Sequence, residues 1–222
     1  MEFIHETIDL DYNDLVADTT KSGRTYTDPD GYSYTSITTV LSILTEESIQ
    51  AWRAKVGEEK ANKISQQASG RGTAVHEIIE KYLNNEDTSD FLPHVRQSLE
   101  NLKPKLHKSL GKIYGLETSL YSRHLGLAGR CDCIAEWDGV PSIIDFKTSR
   151  RPKKKKDIPH YFAQGAGYAV MWEERTGMPI TNVVILMDVD NFHPIVYKEH
   201  RDNHMELLMD TKREYDRRNI FK

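Results

Sequence analysis

The sequence predicts a mixed α/β fold (α+β) in which a central mixed β-sheet is flanked by helices. Helical periodicity dominates the region before residue 110, and three adjacent segments rich in β-branched and aromatic residues follow it. Two further segments of this kind come after a helix near the C-terminus. Adjacent strands that continue through a crossover helix form a sheet with both parallel and antiparallel pairs.

Composition sets the size and class of the protein. With 222 residues, 38% hydrophobic and 29% charged, it is an ordinary globular chain, which excludes disordered, collagen-like and coiled-coil classes. We expect one domain over 1–222, made of an N-terminal arm (1–35), a helical region (36–110) and a sheet core (111–222). The longest apolar run, 183–187, is far shorter than the roughly 20 residues of a membrane span. Since no signal or transit sequence is seen, we expect a cytoplasmic protein without membrane association.

The first helices are predicted from turn residues and apolar spacing. A turn-rich stretch, 21–35, ends the arm, and Thr35 or Ser36 is the predicted N-cap of a short helix that reaches Leu44. More helix is predicted across Trp52, with a break near Gly57.

Two longer helical segments follow. Gly70 and Gly72 are predicted to interrupt the chain before an amphipathic helix over 73–84. A third helical stretch covers 91–110, where Pro104 should bend or end it.

The second half of the sequence alternates between strands and helices. Helices are predicted at 158–176, ending at Gly177, and at 201–219. Strands are predicted at 115–123, 127–137, 140–148, 183–188 and 195–199.

Asp138-Gly139 is the two-residue loop that most favours a type I′ hairpin, because both positions need positive φ. This loop places Asp132 opposite Asp145 on the paired strand, with Cβ atoms about 4.5–5.5 Å apart. Two carboxylates so close together need a shared proton or a divalent cation. The hairpin therefore predicts an acidic pair with a special environment.

Lys147 lies two residues after Asp145 and points to the same face. The strand 143–146 is mostly apolar, as expected for a strand buried on both faces, so the embedded charges need partners. The alternative is a half-exposed hairpin whose acids and lysine face water. An Asp–Asp–Lys cluster is the composition of a hydrolytic metal site, in which carboxylates hold a cation that activates water and the ammonium neutralises developing charge.

The segment Gly129-Arg-Cys-Asp132, followed after twelve residues by Asp145-Phe-Lys147, resembles the bipartite signature of the PD-(D/E)XK nuclease superfamily. His76 in the segment 72–80, and Gln164 with Tyr168, are similar to accessory motifs of its RecB-like exonuclease branch. Segments at 34–41, 116–119 and 148–153 also resemble the mitochondrial genome maintenance exonuclease group. The resemblance covers about residues 32–172 and implies a restriction-endonuclease-like core.

The resemblance implies a metal site for Mg²⁺ or Mn²⁺. Its ligands would be His76, Asp132, Asp145 and the backbone carbonyl of Phe146, and Lys147 would be the catalytic lysine. Glu117 would extend the metal shell. Taken alone, His76 is also compatible with an ordinary histidine on a helix surface.

A second set of residues is predicted to contact nucleic acid. The resemblance implies that Gln164 and Tyr168, which share a helix face, line the site and touch the scissile strand. The basic segment 150–156 leaves the strand that carries Lys147, and we expect it to be a mobile loop that contacts phosphates. Ser36 and Thr38 are also compatible with helix-capping roles, and Arg71 with an ordinary surface arginine. The full set is Ser36, Thr38, Arg71, Thr148, Ser149, Lys153, Lys154, Gln164 and Tyr168.

These expectations describe a metal-dependent DNA exonuclease that hydrolyses phosphodiester bonds of single-stranded or free-ended DNA in replication, recombination or repair. We expect a phage or bacterial protein with a helicase, recombinase or single-strand-binding protein as partner. The formal net charge of −4 hides six acidic residues in 1–20 and six basic ones in 150–156, so it does not argue against a DNA substrate. The alternatives are a structure-specific or flap endonuclease of the same fold and a non-catalytic nucleic-acid-binding module.

Overall fold

The structure, a computed structural model, describes residues 2–12 and 14–220. The helices are Ile37–Leu41 (α1), Ile43–Val56 (α2), Glu58–Leu83 (α3), Pro93–Ser109 (α4), Pro159–Thr176 (α5) and Asp202–Asn219 (α6). The strands are Val16–Thr20 (β1), Gly23–Thr27 (β2), Ser33–Ser36 (β3), Leu110–Ser122 (β4), Leu127–Trp137 (β5), Val140–Ser149 (β6), Asn182–Val189 (β7) and Ile195–His200 (β8). None of the described helices is both long and apolar enough to cross a membrane.

The strands form one mixed eight-stranded sheet with helices on both faces, which confirms the predicted fold class. The order is β1-β2-β3-β5-β6-β7-β8, and β4 pairs with the other edge of β5. The β6–β7 and β3–β5 pairs are parallel, and the remaining pairs are antiparallel. Helix α5 is the crossover between β6 and β7, as the strand–helix–strand order predicts.

Each face of the sheet has its own hydrophobic core. On one face, α3 and α4 pack against β4, β5, β6 and β7, through side chains such as Val75, Leu99 and Phe146. On the other face, α1, α5 and α6 pack against β5 and β6 through side chains such as Ile37 and Trp172. The sheet is therefore packed between two layers of helices.

Two strands, β3 and β6, pair with the same edge of β5, and a gap remains between them. β3 pairs with it at Leu127 and Ala128, and β6 pairs with it from Cys133 to Trp137. The opposite edge of β5 is occupied by β4, so 129–132 has no neighbouring strand on the shared edge. The first half of the bipartite motif thus lies where the sheet splits.

The N-terminal arm differs from the expectation. The prediction of a turn-rich arm followed by a mostly helical region missed β1, β2 and β3, which form a meander that extends the sheet. Short strands rich in Ser and Thr give weak periodicity. The pairing of β3 with β5, and the packing of Tyr26 and Tyr34 against Tyr121, hold the meander on the sheet.

Helix α3 is continuous through Gly70 and Gly72, so the predicted interruption there is wrong. Burial of Ile78, Ile79 and other apolar residues against the sheet outweighs a cost of about 1 kcal/mol per helical glycine. The predicted break at Gly57 is confirmed, because this residue ends α2 with a φ of 84°.

Two smaller expectations also need correction. Pro104 lies inside α4, which continues to Ser109 because its apolar stripe is buried against the sheet. Ser36 is the N-cap residue of α1, but its side chain makes no capping hydrogen bond. Its hydroxyl lies 2.8 Å from that of Thr38 instead.

Candidate active site

The hairpin has the predicted turn and register, but its ladder stops short of the acidic pair. Asp138 and Gly139 have φ values of 52° and 79°, as a type I′ turn requires. Pairing extends from Trp137 and Val140 only as far as Cys133 and Ile144. The prediction that Asp132 pairs directly with Asp145 is therefore wrong. The strands separate there, and Asp132 Oδ2 accepts a hydrogen bond from the Phe146 N–H at 2.8 Å.

The strand alternation of β5 changes at Asp132. Cys131 packs in the core beneath α5, whereas Cys133 packs in the core beneath α3. Residues two apart share one face in a regular strand, so β5 is irregular between them. Across from this point on β4, Glu117 has a φ of 44°, in the left-handed region that non-glycine residues seldom adopt. Such local strain is often found at functional sites.

His76, Glu117 and Asp132 converge at this irregular point. One ligand atom from each lies within 4.8 Å of the other two. His76 projects from α3, with Nε2 2.7 Å from the Phe146 carbonyl oxygen and Nδ1 3.6 Å from Asp132 Oδ1. The backbone of Phe146 therefore contacts Asp132 through its N–H and His76 through its carbonyl.

Asp145 and Lys147 lie beside this cluster at the end of β6. Asp145 is only 2% exposed, and its Oδ1 accepts a hydrogen bond from Lys147 Nζ at 2.6 Å. Its other oxygen, Oδ2, is buried and has no hydrogen-bond partner among the described residues. A buried carboxylate oxygen without a donor is costly, and a divalent cation is one partner that would satisfy it.

Burial and mutual repulsion shift the titration of these groups. Burial raises the pKa of Glu117 to about 7, helped by the charge of Asp132 and opposed by His76. Burial also raises the pKa of Asp145, although Lys147 opposes the shift. Burial disfavours the Lys147 ammonium, but the charges of Asp145 and Asp132 outweigh it and raise the pKa of Lys147. Such concentrated negative charge favours cation binding.

The donor set fits Mg²⁺ or Mn²⁺. It contains carboxylates, a backbone carbonyl and one imidazole, which are ligands that these cations accept. The convergent cluster includes Glu117 alongside two of the predicted ligands, His76 and Asp132. Asp145 instead faces Lys147 with one oxygen and keeps the other unpartnered.

Gln164 and Tyr168 lie on the buried face of α5, 8% and 2% exposed respectively. Tyr168 packs against the gap in β5, since a Cβ atom at Gly129 would lie 2.6 Å from the tyrosine Oη. It therefore supports the backbone that leads to Asp132.

Two residues that the sequence analysis missed lie at the start of α5. The Tyr161 ring is close to two ammonium groups, with Lys147 Nζ 5.0 Å and Lys153 Nζ 5.1 Å from its centroid. Burial, together with Lys153 and Lys147, lowers the pKa of His160 to about 4, so this imidazole is neutral at pH 7. A helix start directly after a basic segment is too common a pattern to have identified either residue.

The basic segment 150–156, which is predicted to be a mobile loop, makes two hydrogen bonds at Lys153. The Lys153 ammonium donates a hydrogen bond to Tyr161 Oη at 3.0 Å. The backbone carbonyl of Lys153 accepts a hydrogen bond from Tyr197 Oη at 2.5 Å. Lys154 is exposed and precedes a single 3-10 turn, Lys155–Asp157. The segment thus carries exposed charged side chains next to a backbone hydrogen bond at Lys153.

Arg71, Thr148 and Ser149 line one cavity of about 580 Å³ beside the end of β6. Arg71 is not free in it, because it donates to buried Asp188 at 2.9 Å and also contacts Asp190. The Ser149 hydroxyl donates to the Arg151 carbonyl at 2.7 Å.

Ser36 and Thr38 lie on the other side of the gap. Ser36 pairs with Ala128 in the β3–β5 ladder and is buried, whereas Thr38 is exposed. Of the two, only Thr38 presents its side chain to solvent.

The sequence model of the PD-(D/E)XK nuclease superfamily matches residues 92–208. The chain belongs to the PD-(D/E)XK nuclease superfamily. The match includes Asp132, Asp145 and Lys147, while His76 lies before it. The protein is therefore a nuclease by family, and its mixed sheet flanked by helices is consistent with the fold of that superfamily.

The chain is also similar to two individual proteins. Human mitochondrial genome maintenance exonuclease 1 is 25% identical over 53% of this chain, which spans 37% of the human protein. The crystal structure of an exonuclease candidate from Eubacterium rectale is 14% identical, with a TM-score of 0.42, over 65% of this chain and 68% of the other.

Proposed function

We propose that this nuclease is a Mg²⁺- or Mn²⁺-dependent deoxyribonuclease that acts as an exonuclease on single-stranded or free-ended DNA. The observation that carries the proposal is the unpartnered Asp145 Oδ2, buried beside the convergent ligand atoms of His76, Glu117 and Asp132. This arrangement is suited to a hard cation and lies next to an ammonium group.

Each side chain has a distinct part in this proposal. His76, Asp132, Asp145 Oδ2 and the Phe146 carbonyl would hold the cation, with Glu117 completing the cluster. When bound, the cation polarises the phosphoryl group and lowers the pKa of a coordinated water. Lys147 orients the attacking water and neutralises the charge that develops on the phosphoryl oxygens. Tyr161 keeps the lysine ammonium in place.

DNA would approach along the basic segment 150–156, which follows β6 directly. Lys153 and Lys154 would contact phosphates and supply the salt-sensitive part of the affinity. Arg71, Thr148 and Ser149 would line the path of the strand on the α3 side. Arg71 would have to exchange an acidic partner for a phosphate, so its contribution should be smaller than that of Lys154.

The test is nucleotide release from labelled linear DNA in the presence and absence of Mg²⁺. We expect Lys147→Ala to reduce the rate by on the order of 10²–10³-fold, as loss of one transition-state charge contact does. Lys198→Ala is the matched control, because Lys198 is an exposed lysine that contacts Asp138 on the far side of the sheet. Equal rates for Lys147→Ala and the control variant would overturn the mechanism.

Covalently closed circles separate the exonuclease from the structure-specific or flap endonuclease of the same fold. An exonuclease leaves single-stranded circles intact, whereas an internal cut linearises them. DNA binding without any Mg²⁺-dependent cleavage would favour the non-catalytic module. A helicase, recombinase or single-strand-binding protein is the kind of partner that would present a free end to this site in replication, recombination or repair.

A further inference from the structure

A cavity of about 550 Å³ lies between the N-terminal segment 5–12 and the β4 residues Tyr114–Ser119. We call it the arm cavity. It has the volume of a small-molecule site, for which 300–1,000 Å³ is usual. None of the residues proposed to contact DNA lines it.

The described part of the N-terminal segment is attached to β4 at both ends of the arm cavity. At one end, Glu6 and Ile8 donate backbone hydrogen bonds to β4, the first of them 2.8 Å long to the Ile113 carbonyl. At the other end, Tyr12 Oη donates to the Ser119 carbonyl at 2.8 Å. Between these attachments the free edge of β4 faces the cavity.

The arm cavity opens onto the proposed metal site. Glu117 lines the cavity and also belongs to the cluster with His76 and Asp132. Glu80, one turn after His76 on α3, lines it as well. A group bound in the cavity would thus be adjacent to the scissile phosphate.

The wall of the cavity is both aromatic and polar. Trp172 lines it and is fully buried, and the hydroxyl-bearing residues Thr7 and Ser119 line it as well. Tyr12 and Tyr114 add aromatic surface, and Asp9 and Glu80 add hydrogen-bond acceptors. A neutral, planar group with both donors and acceptors matches this wall, and nucleobases are such groups.

We propose that the arm cavity binds the base of the terminal nucleotide while its phosphate remains at the His76–Asp132 cluster. This inference rests on the proposed nuclease function and specifies its substrate. The acidic side chains of the cavity repel a further phosphate, so the strand cannot continue through it. The cavity therefore selects a DNA end.

The first test observes binding without catalysis. The chain has three tryptophans, so an ¹⁵N-labelled sample gives three indole N–H signals, and Trp172→Phe assigns one of them. With Ca²⁺ present, we expect dAMP to shift the Trp172 signal and to leave those of Trp52 and Trp137 in place. Deoxyribose 5-phosphate, which lacks the base, should not shift it. A Trp172 signal unmoved by millimolar dAMP would overturn the proposal.

The second test blocks the cavity from the surface. Thr7 is exposed and lines the cavity, so Thr7→Phe fills it without disturbing the core. We expect this variant to lose the dAMP shift and to raise the KM for single-stranded DNA on the order of tenfold, the effect of losing one stacked base. Thr19→Phe, on exposed β1, is the matched control and should behave like the wild type. A Thr7→Phe variant that keeps both the shift and the wild-type KM contradicts the assignment.

Oligonucleotides with an abasic residue at either terminus separate the two proposals. We expect slower release from the end that the enzyme attacks. If the wild type degrades normal and abasic ends equally, the cavity does not bind the base, although the nuclease proposal stands. If the wild type cleaves no DNA, the nuclease proposal fails and so does the inference that rests on it.

Discussion

At the residue scale, the backbone of Phe146 connects β6 with Asp132 and His76 in the candidate site. Its N–H donates to Asp132 on β5, and its carbonyl lies 2.7 Å from His76 on α3. The phenyl ring packs in the core beneath α3 and fixes the peptide.

Glu117 should make the metal-free protein less stable as the pH rises. Its pKa in the folded state is about 7, above the ordinary 4.5, so its contribution to stability is full below pH 4.5 and is lost as pH rises through 7. We expect Glu117→Gln to raise the free energy of unfolding at pH 8 by up to about 3 kcal/mol and to change little at pH 4.5.

Urea unfolding in EDTA at both pH values measures this effect. Glu6→Gln, at an exposed glutamate that contacts Lys112, is the control. A Glu117→Gln variant that is no more stable than the wild type at pH 8 would show that the carboxyl is not destabilised by burial.

Tyr161 should matter through its ring more than through its hydroxyl. The ring faces the Lys147 ammonium at 5.0 Å, a contact worth about 0.5–2 kcal/mol. We expect Tyr161→Leu to lower kcat several-fold and Tyr161→Phe to retain it, because only the second substitution keeps the aromatic face. Steady-state nuclease assays check this, and equal losses in both variants would assign the effect to the hydroxyl and Lys153.

At the scale of elements, the split between β3 and β6 along β5 creates the candidate site. Strand β5 provides Asp132 from the unpaired gap, and β6 provides Asp145 and Lys147 as it leaves β5 for β7. The irregularity at Asp132 turns the carboxylate toward α3 and His76. Full pairing of β5 with β6 would instead have placed Asp132 directly opposite Asp145.

Helix α3 carries two glycines that the fold itself does not require. A Cβ at Gly70 or Gly72 would meet no atom within 4 Å, and both residues have helical neighbours. We expect Gly70→Ala and Gly72→Ala each to stabilise the protein by about 0.5–1 kcal/mol, because alanine is the better helix former. Gly57→Ala should destabilise it, since this residue has a φ of 84°. Thermal unfolding of the three variants tests both signs, and a destabilising Gly70→Ala would show that this face of α3 packs against something.

Some strands could be predicted from the sequence and others could not. The β5–β6 hairpin was predicted with its register, because Asp138-Gly139 determines the turn and the turn determines the pairing. The strands β1, β2 and β3 were missed, since their side chains are mostly polar and exposed. Their contacts with the rest of the sheet are made to β4 and β5, which are distant in the sequence.

For the whole molecule, the placement of charge matters more than the net value of −4. Six basic residues follow the strand that bears Lys147, whereas the acidic N-terminal segment lines the arm cavity. The molecule thus presents a cationic surface on one side of the candidate site and an anionic cavity on the other. This polarity is consistent with a polyanion that enters from one side only.

Salt dependence should reveal that surface. For single-stranded DNA, each lost phosphate contact reduces the slope of log K against log salt by about 0.7. We expect Lys154→Ala to show this reduction, because Lys154 is exposed and precedes the fixed turn at Lys155–Asp157. Lys198→Ala should keep the wild-type slope. Fluorescence anisotropy in Ca²⁺ over a salt series measures both, and an unchanged slope for Lys154→Ala would remove this residue from the DNA path.

The sequence by itself determined the fold class, the hairpin register and the residue types of the candidate site. These depend on local periodicity, turn chemistry and motif spacing, all of which act over short distances in the chain. Only the tertiary structure decided that Asp132 and Asp145 separate and that Tyr161 faces Lys147. It also decided that the N-terminal segment encloses a cavity beside β4. Each of these depends on where distant segments pack, and no local pattern encodes the position of a partner that lies elsewhere in the chain.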